Sequence, residues 1–450
     1  MKEFIKKFIP KSFLELYHFL LSYFSAWWYG FPSEKLIVIG VTGTNGKTTT
    51  VNLIAQILEA AGCKVGLSST VRFKIGPRSW LNDLKMTMPG RFFIQRMLSK
   101  MVKAGCQYAI LELSSEGVLQ YRHLNIHYDV LIFTNLAPEH IERHGSFENY
   151  KQAKLEYFRI LEKLSHKIIK GKKVPKVIVA SVESKFARDF LNFKVDKKYE
   201  FSFYGDYPKL FPESEIVRPE EIKLSPTAST FKYQGLTFKI PMIGPFNVEN
   251  SLKAIAVGQS QGISLEICKK ALKELQQIPG RQEFISEGQD FRIMIDYAPE
   301  PNSLKALYET IKTWPWERLI HVLGSTGGGR DKSRRKILGK MAGEMADIVI
   351  VTNEDPYDEA PQTIIDEVSG GAIETGKILG EDLFKILDRR EAIRQALCLA
   401  SAGDLVIITG KGAEQAIVAA HNKKIPWDDR EVVREELEKL KFSSSNGTRN

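Results

Sequence analysis

Short apolar runs alternate with amphipathic stretches along most of the chain, in the manner of buried strands separated by helices. Eight runs stand out: Leu36–Thr42, Tyr108–Leu113, Val130–Thr134, Val177–Ala180, Phe291–Asp296, Leu319–Gly324, Ile348–Thr352 and Leu405–Thr409. Near-continuous apolar strands of this kind are typical of parallel sheets that are covered on both faces. The runs fall into two series, so the pattern predicts an α/β protein with two such sheets.

The spacing of these runs also predicts where the domains begin and end. Residues 196–243, between the two series, carry short alternating segments that predict an antiparallel hairpin region. The pair Pro279-Gly280 stops the helix before the second series. We therefore expect a short aromatic-rich helical segment at 1–35, a central domain at 36–279, a C-terminal Rossmann-like domain at 280–440 and a flexible tail at 441–450.

Residues 13–31 are rich in large apolar side chains, but Glu15, His18 and Ser22 interrupt them. These interruptions argue against a signal peptide and against a membrane-spanning helix. Two interpretations stay open: an amphipathic helix whose apolar stripe packs on the body of the protein, or an interfacial helix that lies on a membrane. The basic and aromatic residues that suit the second are Lys2, Lys6, Lys7, Lys11, Trp27 and Trp28.

Composition narrows the class of protein. With 450 residues, 43% hydrophobic and 26% charged, the chain is neither a disordered polymer nor a rod nor a multi-span membrane protein. The net charge of +10 favours a polyanionic partner, yet no basic helix with interleaved aromatics indicates nucleic acid. Four scattered cysteines without a CxxC pair predict a reduced, cytoplasmic protein. We expect a monomer, with membrane-surface contact through residues 1–31 under the second interpretation above.

A glycine-rich loop is the strongest motif. It runs from Gly40 through Gly43, Thr44, Asn45, Gly46, Lys47, Thr48 and Thr49, after an apolar run and before a helical stretch. Such a loop binds phosphate through backbone N–H groups and the helix N-terminus, Lys47 adds charge, and the Thr48 hydroxyl is a magnesium ligand. Val41 stands where the strict pattern has glycine, so this is a variant of the phosphate loop.

Two further polar residues, Glu112 and His140, follow predicted strands. Ligands of open parallel sheets bind at the carboxyl ends of the strands, so both should lie on the edge that carries the phosphate loop. A carboxylate and an imidazole there are candidate metal ligands beside nucleotide phosphates. Lys154, within a helical stretch, would by itself be an ordinary solvated lysine.

Taken together, these motifs resemble the ATP-dependent Mur ligases. The resemblance covers about residues 36 to 440 and is closest to the branch that adds the third amino acid to the cell-wall peptide stem. The motifs that carry it, in order, are Gly43–Thr49, Glu112–Ser115, Asn135–Gly145, Tyr150–Lys154, Phe246–Asn250, Pro279–Glu283, Asp296–Ala298, Gly327–Lys332, Gly410–Gly412 and Asp428–Val432.

The resemblance implies an acyl-phosphate mechanism: a muropeptide carboxylate attacks the γ-phosphate of ATP, and an amino acid then displaces phosphate to form an amide. It implies two magnesium ions, with Thr48, Glu112, His140 and a carbamylated Lys154 as their ligands, and Lys47, Glu112, His140 and Lys154 as catalytic residues. The residues that would contact ATP besides the loop are Asn247, Asn250, Arg281, Asp296 and Tyr297. Those that would contact the acceptor or the amino acid are Thr87, Ser114, Gln120, Arg122, Arg330, Glu354, Asp355, Gly410 and Glu414.

Two departures from the family pattern change the expected substrates. Residues 1–35 leave no room for the usual UDP-binding domain, so the acceptor would carry UDP held differently or by a partner protein, or would be linked to a lipid instead. The family's Asp-Asn-Pro-Arg clamp for diaminopimelate is replaced by Glu354, Asp355, Pro356 and Tyr357. Without that arginine, a basic amino acid such as lysine or ornithine is the favoured substrate, with diaminopimelate as the alternative.

Two other functions stay open. The first is a related ligase of the same fold that acts on a lipid-linked or non-muropeptide acceptor, of the folylpolyglutamate or cyanophycin type. The second is a nucleotide-binding protein without ligase activity, against which the set of Lys47, Glu112, His140 and Lys154 argues.

Overall fold

The computed structural model describes residues 11–138, 141–203 and 207–447. The chain divides into two compact units. The first comprises residues up to 223 together with 230–240 and 247–275, and the second comprises 224–229, 241–246 and 276 onward. Each unit is built around one large sheet, which confirms the α/β fold predicted from the apolar runs.

The first unit carries most of the predicted nucleotide-binding residues. Its helices are α1 (Lys11–Trp28), α2 (Lys47–Ala60), α3 (Arg91–Lys103), α4 (Ser115–Leu119), α5 (Ile141–His144), α6 (Phe147–Lys163), α7 (Ala187–Leu191), α8 (Pro245–Ser260, whose first two residues cluster with the second unit) and α9 (Leu265–Lys273), with a 3-10 helix at Pro32–Lys35. Its strands are β1 (Ile37–Thr42), β2 (Val65–Ser68), β3 (Arg72–Ile75), β4 (Arg78–Leu81), β5 (Tyr108–Glu112), β6 (Val130–Phe133), β7 (Ile168–Ile169), β8 (Lys172–Lys173), β9 (Val177–Ser181), β10 (Lys197–Phe201) and β11 (Glu215–Val217).

The nine-stranded sheet of this unit has the order β11-β10-β9-β6-β1-β5-β2-β3-β4. All pairs from β11 to β2 are parallel, and β3 and β4 are added antiparallel at one edge. The most apolar strands lie in the middle, where helices cover both faces. Strand β1 therefore has β5 and β6 as its immediate neighbours, and the loops that follow these three strands meet at one edge.

The region 196–243 differs in part from the predicted hairpin region. Strand β10 pairs in parallel with β9 and β11, so the first part of the region extends the large sheet. Its buried residues, among them Tyr199 and Phe201, explain this placement, because they complete the core at that edge. The remainder forms a separate three-stranded sheet of β12 (Glu220–Leu224), β13 (Ser229–Tyr233) and β14 (Leu236–Ile240).

Helix α1 packs against α3, but not in the way that the first interpretation expects. Among residues 13 and 15–28 of α1, the buried ones are small, namely Ser22, Ser25 and Ala26. Nine of its large apolar side chains are exposed instead. They are Phe13, Leu16, Tyr17, Phe19, Leu20, Tyr23, Phe24, Trp27 and Trp28. The expectation that the apolar stripe joins the core is therefore wrong, because a period in sequence does not say which face turns inward.

The second unit has a six-stranded sheet of order β15-β16-β20-β17-β18-β19. All its pairs are parallel except β15 with β16. The elements are β15 (Glu283–Ile285), β16 (Arg292–Ile295), α10 (Pro301–Ile311), β17 (Leu319–Leu323), α11 (Ser333–Met345), β18 (Ile348–Thr352), α12 (Pro361–Ile373), β19 (Leu383–Ile386), α13 (Arg389–Leu399), β20 (Leu405–Ile408), β21 (Ala416–Ala419), a 3-10 helix at Ala420–Asn422, β22 (Lys423–Pro426) and α14 (Asp429–Gly447).

Helix α14 continues to Gly447, into the segment for which the sequence predicts a flexible tail. Among residues 11–138, 141–203 and 207–447, no helix has both the length and the apolar character needed to cross a bilayer.

Candidate active site

The phosphate loop connects β1 to α2 and requires glycine at two positions. Gly43 and Gly46 have φ angles of 147° and 81°, which side chains rarely adopt. A Cβ atom on Gly43 would lie 1.9 Å from Thr134 Oγ1, and one on Gly46 would lie 2.5 Å from Asn250 Oδ1. One side of the loop is therefore packed against Thr134 and Asn250. On the other side, the absence of side chains lets the backbone approach a ligand closely.

The end of β6 braces this loop. Thr134 Oγ1 donates to the carbonyl of Asn45 at 2.7 Å, and the Asn45 amide donates to Asn135 Oδ1 at 2.9 Å. The Thr44 hydroxyl lies 3.1 Å from the hydroxyl of Tyr150 on α6. The loop is thus held in shape by side chains from two neighbouring elements. Such pre-organisation favours phosphate binding, because little further ordering is needed.

A buried carboxylate lies beside the first turn of α2. Thr48 Oγ1 donates to both oxygens of Glu112, each at 3.1 Å. Thr70 donates to the same carboxylate through its amide and its hydroxyl, both at 2.8 Å, and Thr70 Oγ1 is 2.9 Å from Thr87 Oγ1. Thr48 and Glu112 offer only oxygen atoms, the ligands that Mg²⁺ prefers. The donor set therefore fits a magnesium ion, and Thr49, the next residue on α2, is buried beside it.

Two lysines converge on the carbonyl of Gly43. Lys47 Nζ donates to it at 3.0 Å and to the carbonyl of Thr44 at 2.6 Å. Lys154 Nζ, from α6, donates to Gly43 O at 2.8 Å and lies 4.5 Å from the centre of the Tyr150 ring. The Lys154 side chain is only 2% exposed. The structure thus overturns the solvated role that its sequence context alone suggests, and it brings Lys154 to the phosphate loop.

The predicted ligand His140 lies outside the described residues. His144, four residues later, is buried, with Nε2 3.0 Å from Ser115 Oγ and its ring against Tyr150. Burial, and then the nearby Lys154, lower the pKa of His144, which favours the neutral form of the ring. Across the part of the chain that the structure describes, no three His, Cys, Asp or Glu side chains gather as a metal site.

The residues expected to contact the acceptor lie beyond β5. Ser114 caps α4 by accepting from the Gly117 amide at 3.1 Å. Arg122 donates to the Met88 carbonyl and to Gln120 Oε1. Burial lowers the pKa of Arg122 relative to its usual value. These contacts fix a guanidinium and an amide near Thr87, where they could bind a polar or anionic acceptor.

Asn247 and Asn250 lie side by side on α8 and are both buried. Asn250 Oδ1 accepts from Thr50 Oγ1 at 3.3 Å, and Asn250 Nδ2 donates to Asn247 Oδ1 at 3.4 Å. The pair is therefore linked to α2, the helix that begins at the phosphate loop. The two asparagine side chains are therefore placed to contact the base of a nucleotide whose phosphates are bound by the loop.

In the second unit, the predicted nucleotide contacts cluster at the end of β16. The Arg281 guanidinium lies 4.5 Å from the centre of the Tyr297 ring. Asp296 accepts from the amides of Gln282 at 2.8 Å and Ala298 at 2.9 Å. Burial raises the pKa of Asp296 and of the Tyr297 hydroxyl. The hydrogen bonds of the Asp296 carboxylate thus stabilise the conformation of the backbone around it.

The acidic residues expected to select the amino acid are also buried. Glu354 Oε1 accepts from Thr326 Oγ1 at 2.6 Å, and burial next to Asp355 raises the pKa of Glu354. Lys411 Nζ donates to Asp355 at 2.9 Å and to Glu414 at 2.7 Å. A Cβ atom on Gly410 (φ 101°) would lie 2.4 Å from Glu354 Oε2.

Arg330, on the glycine-rich loop after β17, is close enough to Tyr297 and Tyr357 to favour their ionised forms. It therefore belongs to the same neighbourhood of the second unit as Glu354 and Glu414, which also influence Tyr297.

Sequence reasoning missed several residues that the structure brings to the site: Thr70, Thr134, Asn135, His144 and Tyr150. Asn135, His144 and Tyr150 fall within family motifs but were not singled out, because only contacts show that they brace the loop. Thr70 lies in a Ser-Ser-Thr turn after β2 and gives no signal in the sequence. It reaches Glu112 because β2 pairs with β5, with Ser68 opposite Leu111.

Comparisons with known proteins agree with this geometry. Residues 41–258 match the Mur ligase middle domain, and residues 280–412 match the Mur ligase glutamate ligase domain. The UDP-N-acetylmuramyl-tripeptide synthetase of Roseiflexus sp. (strain RS-1) is 35% identical over 420 residues, which cover 93% of this chain and 82% of that protein. The UDP-N-acetylmuramoyl-L-alanyl-D-glutamate–2,6-diaminopimelate ligase of Gloeobacter violaceus is 34% identical over 416 residues, 92% of this chain and 79% of that one.

A solved structure of a UDP-N-acetylmuramoyl-L-alanyl-D-glutamate–2,6-diaminopimelate ligase has a similar fold. Its TM-score is 0.59 at 28% identity, and the match covers 90% of this chain and 79% of that chain. The family motifs, the two domain matches and the relatives all agree: the chain belongs to the Mur ligase family.

Proposed function

We propose that the protein is an ATP-dependent ligase of the MurE type, which adds an amino acid to the carboxylate of a muramoyl peptide. The observation that carries this proposal is the cluster of Thr48 and Glu112 beside the loop lysines Lys47 and Lys154. The names of the relatives, a tripeptide synthetase and a diaminopimelate ligase, support the same reaction. They name UDP-linked substrates, so a UDP-linked acceptor is the first to test.

In this reaction two anions, a carboxylate and a triphosphate, must come together. The loop amides and Lys47 bind the phosphates, with Lys47 exchanging its contacts to Gly43 and Thr44 for phosphate oxygens. Thr48 and Glu112 would hold a magnesium ion, which would supply positive charge to offset repulsion between the reacting anions. The acceptor carboxylate attacks the γ-phosphorus of ATP and ADP leaves, which gives an acyl phosphate. The amine of the amino acid then attacks the acyl carbon, and phosphate and a proton leave as the amide forms. A second ion at His140 is part of the same proposal.

Lys154 would act as a carbamate. The ammonium first loses one proton, and the neutral amine then adds to CO₂ and releases a second proton, which gives an anionic carbamate that could bind magnesium. Lys154 is 2% exposed and its Nζ donates to the Gly43 carbonyl, so the amine lies at the loop that would bind the phosphates. The burial of Lys154 at the phosphate loop supports this assignment.

Substitution of Lys154 tests the carbamate. We expect Lys154→Ala to lower ATP-dependent ligation by about 10- to 100-fold, the range seen when a metal-site partner is lost, and short carboxylates such as acetate to restore part of it. Lys154→Arg, which keeps the charge, should show no such rescue. Lys163→Ala, an exposed lysine on the same helix, should behave like the wild type. Full activity of Lys154→Ala would remove the carbamate from the mechanism.

A basic amino acid is the proposed second substrate. Glu354, Asp355 and Glu414 form an acidic group, and a side-chain ammonium would be attracted to it. Lys411 already pairs with both Asp355 and Glu414, so Glu354, which accepts from the Thr326 hydroxyl, is the residue assigned to the side-chain ammonium. Phosphate release should be fastest with lysine or ornithine. Highest turnover with diaminopimelate would contradict this assignment without affecting the proposed reaction.

The remaining parts of the proposal concern the whole protein. We propose that it works in the cytoplasm as a monomer, with residues 1–31 in contact with a membrane surface. Light scattering of the purified protein tests the monomer, since a dimer would double the measured mass.

A further inference from the structure

Helix α1 buries small side chains and exposes large apolar ones, which is the opposite of an ordinary surface helix. Its buried face is made of Ser22, Ser25 and Ala26, which follow the helical period of three and four residues. Its outward face carries nine large apolar side chains that are 45% to 67% exposed. Soluble proteins rarely expose a contiguous apolar patch of this kind without a partner that covers it.

Polar contacts fix the orientation of α1 on the first unit. Ser22 Oγ donates to the Leu124 carbonyl at 3.2 Å and accepts from Asn125 Nδ2 at 3.1 Å. Closer to the start of the helix, His18 Nδ1 lies 3.1 Å from an Arg91 nitrogen. The outward apolar face is therefore set by specific contacts of the inward face.

The chemistry of the outward face and its flank favours a lipid surface. Tyrosine and tryptophan, four of the nine exposed residues, are enriched where hydrocarbon meets water. Residues 1–31 contain two acidic residues, Glu3 and Glu15, against four lysines, all of which occur in the first eleven residues. A basic segment next to an apolar helix is complementary to anionic headgroups.

The length and composition of α1 fit a helix that lies in the surface. It has 18 residues, about 27 Å at the usual rise, and is not apolar enough to cross a bilayer. The apolar surface is confined to one side, which can sink into the headgroup region while Ser22 and Ser25 stay on the protein.

We infer that α1 is an interfacial helix that docks this protein on an anionic lipid bilayer, next to its acceptor-binding residues. The link runs from His18 to Arg91, which donates to the carbonyl of Gln120 beside Arg122. The docking itself stands on α1 alone. The clause about the acceptor rests on the proposed function.

Sedimentation of the full-length protein with vesicles tests the docking. The vesicles are an equal mixture of phosphatidylcholine and phosphatidylglycerol, compared with pure phosphatidylcholine. We expect binding to the anionic vesicles, and at least about tenfold weaker binding for the double variant Trp27→Ser, Trp28→Ser, because two interfacial aromatic side chains are lost. A second double variant, Leu16→Ser, Leu20→Ser, should show the same loss.

The matched control removes equally exposed apolar residues elsewhere. The double variant Ile378→Ser, Leu379→Ser lies in the second unit and should bind vesicles like the wild type. Equal binding by wild type and both α1 variants would overturn the inference. So would a wild-type dimer that the α1 variants convert to monomer, because a second copy would then cover the face.

These outcomes are separate from those that test the ligase. A protein that binds vesicles but releases no phosphate with any muropeptide would overturn the proposed function and leave the docking intact. A ligase that turns over a soluble acceptor but does not bind vesicles would overturn the docking, together with the proposed membrane contact, and leave the proposed reaction intact.

Discussion

Thr70 shows how much of the site depends on a single side chain. It donates two hydrogen bonds to Glu112, through the amide and the hydroxyl, and so fixes the carboxylate that would hold magnesium. Residues in this role are positioning residues, since they act through the ligand that they orient.

We expect Thr70→Val to weaken magnesium binding by about 10- to 100-fold, because the hydroxyl donor is lost while side-chain shape and the amide bond are kept. Titration of phosphate release with Mg²⁺ measures this, and the change should appear as a shift in the magnesium requirement with kcat largely restored at high concentration. Thr237→Val, at an exposed position of β14, is the control. An unchanged magnesium requirement would show that Thr48 and the Thr70 amide together suffice to orient Glu112.

For single residues, the sequence identifies those whose side chains would take part in the chemistry. It does not identify the residues that only position those side chains. Lys47, Thr48 and Glu112 could be predicted because a phosphate loop needs a cation, a hydroxyl and a nearby acid. Thr70 could not, because a threonine in a turn is common and its contact with Glu112 arises only when β2 pairs with β5.

The connection from β1 to α2 is the element on which nucleotide binding depends. We expect Gly43→Ala to destabilise the fold by about 1–3 kcal/mol, because φ is unfavourable and the new methyl would strike Thr134 and the Asn135 backbone. It should also weaken nucleotide binding. Urea unfolding and titration with a fluorescent ATP analogue measure the two effects.

Gly62→Ala is the matched control for this change. Gly62 also has a positive φ, 80°, but an added Cβ would meet open space at the end of α2. It should therefore show the backbone cost alone, with nucleotide binding unchanged. Equal effects of the two variants on nucleotide binding would mean that the close approach of Gly43 to Thr134 is irrelevant to the ligand.

The strands that are buried on both faces of a sheet could be predicted well, because they are apolar along their whole length. All eight predicted runs are strands to within about two residues at their ends. Strand β10 was misplaced because its alternating pattern is that of any edge strand, and its partner is decided by tertiary packing. The inverted orientation of α1 could not be predicted, since the hydrophobic period is the same whichever face turns inward.

For the whole molecule, a buried ion pair ties the segment before β1 to the first unit. Lys167 Nζ lies 2.6 Å from Asp129 and donates to the carbonyls of Ser33, Leu36 and His127. Both charged side chains are almost completely buried. Removal of one partner leaves the other charge without compensation, which makes such pairs expensive to break.

We expect Lys167→Met to lower the free energy of unfolding by about 3–5 kcal/mol. Lys232→Met, which removes an exposed pair with Glu221, should change it by less than about 1 kcal/mol. Chemical unfolding followed by circular dichroism gives both values. A loss below about 1 kcal/mol for Lys167→Met would show that the pair contributes no more than a surface contact.

For the whole molecule, the sequence predicts the two α/β units but not the contacts of residues outside the motifs. The two series of apolar runs correspond to the two large sheets, because each sheet needs its own apolar core. The Lys167 contacts could not be predicted, since a lysine in the short connection between α6 and β7 has the sequence context of a solvated residue.

The contacts of Lys167 also mark the N-terminal boundary of the part of the first unit that should unfold cooperatively. Residues 33–36 are fixed by a buried charge, whereas α1, just before them, is held mainly by serine and alanine. The amide protons of α1 should therefore exchange with deuterium through a local opening that costs much less than global unfolding. A bilayer that covers the helix would slow that exchange, so the protection of α1 amides reports directly on occupancy of its outer face.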